Sequence, residues 1–275
     1  MPERQASRPD VLSDVDRTAG TMFAALYGDM TPHPWLEPSA EPGLHVGFHD
    51  RSVAMGWLDD RSTGEARRAS GLWAVNDAGR GRPQDGTVTS LTSWFQVEVS
   101  AVASDRPLPV QPMLACGQAA TSRTGTLRLT GVQVLLPLQG LDPSARAPYA
   151  PVPAMRTVGW FTGSDPSART AVLVDVDTGQ DPSAATVARR LVDDLTRLDQ
   201  DVFTYRSHDT TDRRGVPPPP FDDSHWNGPA LHGVTLHGDL AEWSCEAVGW
   251  LAEVVADCLS RSGLRAPVLF TATRA

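Results

Sequence analysis

Lysine is missing from this sequence, and all 24 residues of the Lys and Arg class are arginine. A chain without lysine cannot form a Schiff base with a carbonyl substrate or with pyridoxal phosphate. It also lacks the lysine with which P-loop proteins and protein kinases bind phosphates, and the lysine to which biotin or lipoate is attached. We therefore exclude these classes of enzyme and expect no cofactor.

Cysteine is scarce as well. Cys116, Cys245 and Cys258 are the three cysteines, and their spacing is not that of a metal site or a redox motif. This usage favours the reducing environment of the cytoplasm, and the first residues do not have the pattern of a signal peptide. We expect a cytoplasmic protein without a metal site.

Long apolar runs and clusters of positive charge are also absent. No stretch approaches the roughly 20 apolar residues that cross a bilayer. The net charge is −9, and acidic residues outnumber arginines in both halves of the chain. Because a protein that binds duplex nucleic acid needs a concentrated basic surface, we expect neither nucleic acid nor membrane as a partner. A small molecule, another protein or a second copy of the chain remains.

The 275 residues are enough for two domains. Residues 141–168 are rich in Pro, Ala and Ser, and we place a boundary near residues 148–153. The sequence therefore predicts one domain over residues 1–150 and a second over residues 151–275.

The first half has the pattern of a β-rich α+β domain with one leading helix. Apolar residues at helical spacing predict that helix over residues 12–27. Short apolar runs separated by Gly, Asp and Ser predict antiparallel strands. These strands are expected at residues 44–48, 53–58, 72–75, 94–103 and 126–138.

The second half has the pattern of a ferredoxin-like domain. Alternating or apolar runs predict strands at residues 171–177, 202–207, 231–237 and 268–273. Helical periodicity predicts helices over residues 182–198 and 240–262, the second opened by Asp239 with Glu242 in a capping box. The resulting order β-α-β-β-α-β is that of two helices on one face of a four-stranded sheet.

One short motif suggests phosphoryl chemistry. Asp175-Val176-Asp177-Thr178 follows an apolar strand and resembles the first motif of haloacid-dehalogenase-type phosphotransferases, D-x-D-x-T. The resemblance implies a nucleophilic aspartate beside an acid/base, with Mg²⁺ held between them. The chain departs from the family in the position of the motif and in lacking lysine. The alternative is a polar turn with both aspartates facing solvent.

The segment 208–230 is the most unusual part of the sequence. It is far longer than a hairpin loop and contains four consecutive prolines, which are stiff and extended. The prolines could hold an arm that carries the partner-binding residues Phe221, Trp226 and Asn227. His225 beside Asp222 and Asp223 could act as a general acid or base, as could His208. The alternative is an exposed loop whose Trp226 packs back on its own domain.

Two further features concern aromatic and imidazole side chains. Trp160, just after the boundary, is a candidate for a contact between the halves. His45 and His49 lie about 13 Å apart along the expected strand, which is too far to share a metal. The seven histidines therefore predict no metal site.

Three functions remain open. The first is non-catalytic binding of a small molecule or a protein partner through the cleft between the halves and the 208–230 segment. The second is a cofactor-independent enzyme, such as a cyclase, isomerase, hydrolase or monooxygenase, with His and Asp as acid and base. The third is homo-oligomerisation through the sheet. Because no motif specifies a reaction, binding is the preferred hypothesis.

Overall fold

A computed structural model describes residues 20–36, 43–59, 71–81, 90–100, 102–103, 106–141, 161, 163, 165–198, 200–210 and 217–275. It is an α+β structure. The strands are β1 (Gly20–Pro32), β2 (Trp73–Arg80), β3 (Leu91–Val99), β4 (Gly125–Leu136), β5 (Thr170–Gly179), β6 (Phe203–Asp209), β7 (His232–Leu240) and β8 (Val268–Arg274). The helices are α1 (Leu44–Ala54), α2 (Val110–Ser122), α3 (Ala184–Arg197) and α4 (Cys245–Arg261).

The eight strands form one sheet in the order β2-β3-β1-β4-β8-β5-β7-β6. Every neighbouring pair is antiparallel. Both halves of the chain follow the order β-α-β-β-α-β, and both arrange their strands in the same lateral order. The halves join through their last strands, β4 and β8, so the sheet continues from one half into the other.

The four helices pack against one face of this sheet. Alternate residues of the central strands point toward the helices and are fully buried, among them Ala24, Val134 and Phe270. Helix α2 contacts both α1 and α4, and α4 also contacts α3. The helical layer therefore runs α1, α2, α4, α3 across the sheet and closes one continuous core.

Helix α4 is buried along almost its whole length, including the carboxyl side chain of Glu253. This carboxyl accepts a hydrogen bond from the backbone N–H of Gln111 at 2.9 Å, in the first turn of α2. Burial raises the pKa of Glu253 to about 8, although hydrogen bonds from the N–H groups of Gln111 and Val110 act in the opposite direction. Glu253 therefore caps α2 from a neighbouring helix, at the cost of being difficult to ionise.

The leading helix expected over residues 12–27 is wrong for its described part, because residues 20–27 belong to β1. This strand lies between β3 and β4, and residues 22–28 are buried on both of its faces. A strand that is buried on both faces carries a continuous apolar run, which periodicity cannot distinguish from a buried helix. Residues 12–19 lie outside the described residues.

The strand expected at residues 44–48 is also wrong, because these residues begin helix α1. Leu44, Phe48 and Ser52 are buried one helical turn apart. Because Ser52 is polar, the apolar residues alone do not show the helical spacing of this buried side. The Ser52 hydroxyl donates a hydrogen bond to the Phe48 carbonyl at 2.7 Å.

Helix α2 is absent from the sequence interpretation, although its buried residues have helical spacing. These residues are Val110, Met113, Leu114, Cys116, Gly117, Ala120 and Thr121. Pro112 does not break the helix because it lies in the first turn, where its missing N–H has no intrahelical partner. The described residues of the N-terminal half therefore contain the two helices α1 and α2.

In the C-terminal half all six expected elements are present, with ends that differ by a few residues. The second helix begins later than expected. Its N-cap is Ser244, whose hydroxyl accepts a hydrogen bond from the Ala247 N–H at 3.1 Å. Asp239 instead lies in β7 and forms an ion pair with Arg206 at 2.6 Å.

Among the described helices, none is both long and apolar enough to cross a membrane. The three cysteines are free and buried. Burial raises the pKa of the Cys245 thiol to about 12, so this thiol is protonated and unreactive near neutral pH.

Candidate binding site at the strap

The connection between β6 and β7 crosses the face of the sheet opposite the helices. Residues 211–216 of this connection lie outside the described part of the chain, and we call residues 217–229 the strap. The strap starts over β4 and β1 of the first half and returns to the end of β5 in the second half. We call the sheet surface beneath it the strap face.

Apolar contacts hold the middle of the strap. Trp226 is only 7% exposed and packs in a small cluster with Phe23, Leu135 and Leu269. Phe221 stacks on Phe23 with 4.7 Å between ring centroids. Because Phe23 and Leu135 belong to the first half and Leu269 to the second, the strap bridges both halves.

Two buried polar side chains hold the start of the strap. The Tyr27 hydroxyl donates to the Pro218 carbonyl at 3.1 Å, and the Gln133 amide donates to the Pro217 carbonyl at 3.0 Å. The Tyr27 hydroxyl also lies 3.1 Å from Gln133 Oε1. Burial raises the pKa of Tyr27 well above its usual range, so its hydroxyl stays a donor. Both donors thus recognise backbone carbonyls of consecutive prolines.

The register of the sheet places Gln133 in one row with three polar side chains of the second half. Gln133 of β4 faces Ala25 of β1 on one side and Thr271 of β8 on the other. Thr271 in turn faces Asp175 of β5, and Asp175 faces Thr235 of β7. Paired residues in an antiparallel sheet point to the same face. The centre of the strap face is therefore a buried polar row that crosses the junction of the halves.

Asp175 and Asp177 belong to this face. The alternative that both aspartates face solvent is wrong, since Asp175 is 7% exposed and Asp177 is 4% exposed. The Thr235 hydroxyl donates to Asp175, and both aspartates have further interactions. The two aspartates lie within β5 rather than beyond its end, which differs from the strand-end arrangement that the D-x-D-x-T resemblance implies.

Backbone contacts hold the end of the strap against β5. The Gln180 N–H donates to the Asn227 carbonyl at 2.8 Å, and the Leu231 N–H donates to the Gly179 carbonyl at 3.1 Å. Gly179 has a φ of +66°, and a Cβ atom at this position would lie 1.9 Å from the Asn227 carbonyl oxygen. A glycine is therefore required here for two reasons, its backbone conformation and the close approach of the strap.

We expect Gly179→Ala to weaken the attachment of the strap to the end of β5, an effect that the same substitution at Gly56 should not have. Gly56 provides a matched control because its φ is +68° and nothing lies within 4 Å of its Cβ position. Both substitutions introduce the same backbone strain, about 1 kcal/mol. Gly179→Ala should lower the free energy of unfolding in urea by a further amount of about 1–2 kcal/mol, because only it displaces the strap. Equal losses for the two variants would contradict this close contact.

The two carboxylates expected to activate His225 each accept a hydrogen bond within the strap, and Asp222 also interacts electrostatically with His225. Asp222 accepts a hydrogen bond from the Ser224 N–H at 2.8 Å, and contacts with Ser224 lower the pKa of Asp222. Asp223 accepts from the indole Nε1 of Trp226 at 3.2 Å. The His225 ring meets Phe23 edge-on, with 5.0 Å between centroids. Within the described residues, therefore, the two aspartates stabilise the turn and the tryptophan.

Of the other predicted site residues, Phe221 meets the His225 ring edge-on, with 6.3 Å between ring centroids. His208 lies on β6, exposed, with its Nδ1 2.7 Å from the Tyr205 hydroxyl. The Asn227 side chain is exposed while its carbonyl pairs with β5. Trp160 lies outside the described residues, so its expected contact between the halves stays a prediction.

The histidine pair His45 and His49 lies on α1 rather than on a strand, so the distance expected along a strand is wrong. Their ring centroids are 6.3 Å apart. His45 pairs with Asp77 at 3.2 Å, and His49 lies 3.3 Å from the Asn76 amide oxygen. Among the described residues, no group of three or more His, Cys, Asp or Glu side chains is placed to hold a metal ion.

Tyr27, Gln133 and Thr271 are the site residues that sequence reasoning missed. Gln133 carries the one local signal, because it is a lone amide within the otherwise apolar residues 131–138. Tyr27 and Thr271 carry none, since their role depends on which strands lie side by side.

Known families provide no further guide to this site: the chain matches no protein-family model and no curated protein sequence.

Proposed function

We propose that this is a non-catalytic binding protein, and that the strap and the junction of the halves beneath it are its recognition surface. The observation that supports this proposal is that one side of the strap is anchored to the sheet while the other side exposes polar residues. Its inner side is anchored by Phe221, Trp226 and the proline carbonyls. Its outer side exposes Asp222, Asp223, Ser224, His225 and Asn227.

The strap is well suited to present these side chains in one arrangement. Proline fixes its own φ and restricts the residue before it, so residues 217–220 lose little conformational freedom when they are held in place. A preorganised segment binds a partner with a smaller entropic cost than a flexible loop. The side chains of Asp222 and Asp223 give its outer side a negative charge, which favours a partner that carries a basic surface.

The pairing of the two halves changes the expected shape of the recognition surface, which is not an open cleft between them. β4 and β8 are paired over residues 131–136 of β4, so the sheet continues through the junction. On the strap face, this junction is covered by Pro217, Pro218 and Trp226. The proposed recognition surface is thus a covered junction, with the strap as its outer layer.

We further infer that each half is a ferredoxin-like unit, and that the protein is cytoplasmic. The β-α-β-β-α-β order, the shared strand order and the helices on one face support the first inference. The three free, buried cysteines support the second.

The test replaces both exposed carboxylates without disturbing the turn. We expect Asp222→Asn with Asp223→Asn to reduce capture of a basic partner from an extract of the source cells at least about 10-fold, a change worth roughly 1.4 kcal/mol. Asparagine retains the oxygen acceptors used by Ser224 and Trp226, so the melting temperature should stay unchanged. Quantitative mass spectrometry of the captured proteins provides the measurement.

A matched control carries the same change of charge on the opposite side of the sheet. Asp50 on α1 and Asp193 on α3 are both exposed, and replacing both by asparagine should leave capture intact. If the two double variants capture the same proteins in the same amounts, the strap is not the recognition surface.

A further inference from the structure

The strap face already carries a proline-rich segment, the chain's own residues 217–220, and we call the part of this face formed by Phe23, Tyr27 and Gln133 the groove. Two buried donors, the Tyr27 hydroxyl and the Gln133 amide, hold the carbonyls of Pro218 and Pro217. With the strap in place, Tyr27 is 2% exposed and Gln133 is 1% exposed. Each donor also has a second acceptor within the sheet, Gln133 Oε1 at 3.1 Å for the Tyr27 hydroxyl and the Thr271 hydroxyl oxygen at 3.0 Å for the Gln133 amide. Phe23 supplies an aromatic ring on the same face, two residues along β1 from Ala25, which pairs with Gln133, and it stacks on Phe221, the residue that follows the four prolines.

These contacts are of the kind that recognises polyproline helices. A polyproline segment makes no internal hydrogen bonds, so its carbonyls are available to side-chain donors. Grooves that bind such segments are lined by aromatic rings and exploit the low entropy of the preformed helix. In residues 217–220 every residue that precedes a proline is restricted to extended conformations, which favours the polyproline form.

We propose that the groove formed by Phe23, Tyr27 and Gln133 binds a proline-rich segment of a partner protein, and that the strap occupies it as an internal competitor. This proposal deepens the proposed function by naming a partner class, and it rests on that function in placing recognition at the strap. The two can fail separately, because the acidic outer side and the groove beneath it are tested by different variants.

The internal competitor has a calculable effect. A segment tethered by a short linker is present at an effective concentration of about 1 mM. If the strap binds with a dissociation constant of about 100 µM when supplied as a separate peptide, it lowers the apparent affinity for an external peptide roughly 10-fold. Removing it from the groove should therefore tighten peptide binding by about that factor.

The experiment uses a blocked peptide with the sequence of residues 217–226, added to the full chain. In one variant, residues 217–221 are replaced by alternating Gly and Ser, which frees the groove while keeping the chain length. We expect this variant to bind the peptide at least about 10-fold more tightly than the intact protein. Gly179→Ala, which displaces the end of the strap, provides a milder second variant, with Gly56→Ala as its control.

Two further measurements separate proline recognition from simple apolar binding. A peptide with alanine in place of the four prolines should bind the Gly/Ser variant several-fold more weakly, because it loses the preformed extended conformation. Tyr27→Phe in the same variant should weaken binding several-fold, because it removes the hydroxyl that donates to Pro218 while keeping the ring.

Three results would overturn the proposal. They are a folded Gly/Ser variant that does not bind the peptide at about 1 mM, equal binding of the proline and alanine peptides, and light scattering that gives a dimer mass for the intact protein but a monomer mass for the Gly/Ser variant. The last result would assign the groove to a second copy of the chain.

Discussion

Raising the pH from 5 to 9 should remove a stabilising contribution of the buried Glu253 to the free energy of unfolding, and Glu253→Gln should abolish this part of the pH dependence. The ordinary pKa of the side chain is 4.5, and burial in α4 raises it to about 8 in the folded protein. The folded protein therefore holds this proton more tightly than the unfolded chain does. The stabilisation is fully present below 4.5 and is lost as the pH rises through about 8.

The expected size of the effect is large. A difference of this magnitude between the folded and unfolded pKa values corresponds to as much as about 5 kcal/mol, a large share of the stability of a typical domain. The N–H groups at the start of α2 favour the ionised form, but they do not outweigh the desolvation of the carboxylate. A glutamine retains an oxygen that can accept from Gln111 and carries no charge at any pH.

Urea unfolding at several pH values measures the effect. Other titrating groups are common to both proteins, so the difference between wild type and Glu253→Gln isolates Glu253. We expect the variant to gain stability relative to wild type as the pH increases from 5 to 9. Glu246→Gln is the control, because Glu246 lies on the same helix but is exposed. Parallel profiles for wild type and Glu253→Gln would contradict the raised pKa.

Trp226→Ala should release the strap from the sheet. The indole is buried against Phe23, Leu135 and Leu269, and replacing a fully buried tryptophan by alanine typically costs about 3–5 kcal/mol. Here the loss has an upper limit, because the main core lies between the helices and the other face of the sheet and does not include Trp226. The global cost cannot exceed the free energy with which the strap is held. We therefore expect a loss of about 2–3 kcal/mol.

Hydrogen exchange distinguishes release of the strap from general destabilisation. The amide of Gln180, which pairs with the Asn227 carbonyl, should exchange faster, while the amides of β4 and β8 keep their protection. Trp35→Ala is the matched control, since Trp35 is 73% exposed and stacks only on His33 among the described residues. Uniformly faster exchange across the sheet would show that Trp226 belongs to the main core.

The predictability of the fold differs between the halves for a physical reason. In α3, buried and exposed residues follow the helical period, so residues such as Leu191 and Leu195 indicate the helix directly. In β5 the apolar and polar residue types alternate at positions 174–177, which indicates a strand even though these residues are all buried. In β1, burial on both faces removes the alternation. In α1, Ser52 occupies a buried position, and its hydroxyl is satisfied within the helix by the Phe48 carbonyl, which hides the helical stripe.

The candidate site was predictable only in part. Four consecutive prolines, Phe221 and Trp226 mark the strap as unusual by composition alone. Their receptor surface is not visible in the same way, because Tyr27 and Gln133 are separated from the strap by 191 and 84 residues respectively. The aspartates beside His225 suggested acid–base chemistry, and the structure adds that one oxygen of each accepts a hydrogen bond, from Ser224 and from Trp226 respectively.

By itself, the sequence determined what chemistry the chain cannot perform and which residues form the elements of the second half. These conclusions depend on residue identity, such as the absence of lysine, and on patterns a few residues long. Only the tertiary structure decided that β4 pairs with β8, and that Gln133, Thr271 and Asp175 therefore form one buried row beneath the strap. Strand pairing joins distant residues through the packing of the whole core, so no local pattern specifies which strands become neighbours.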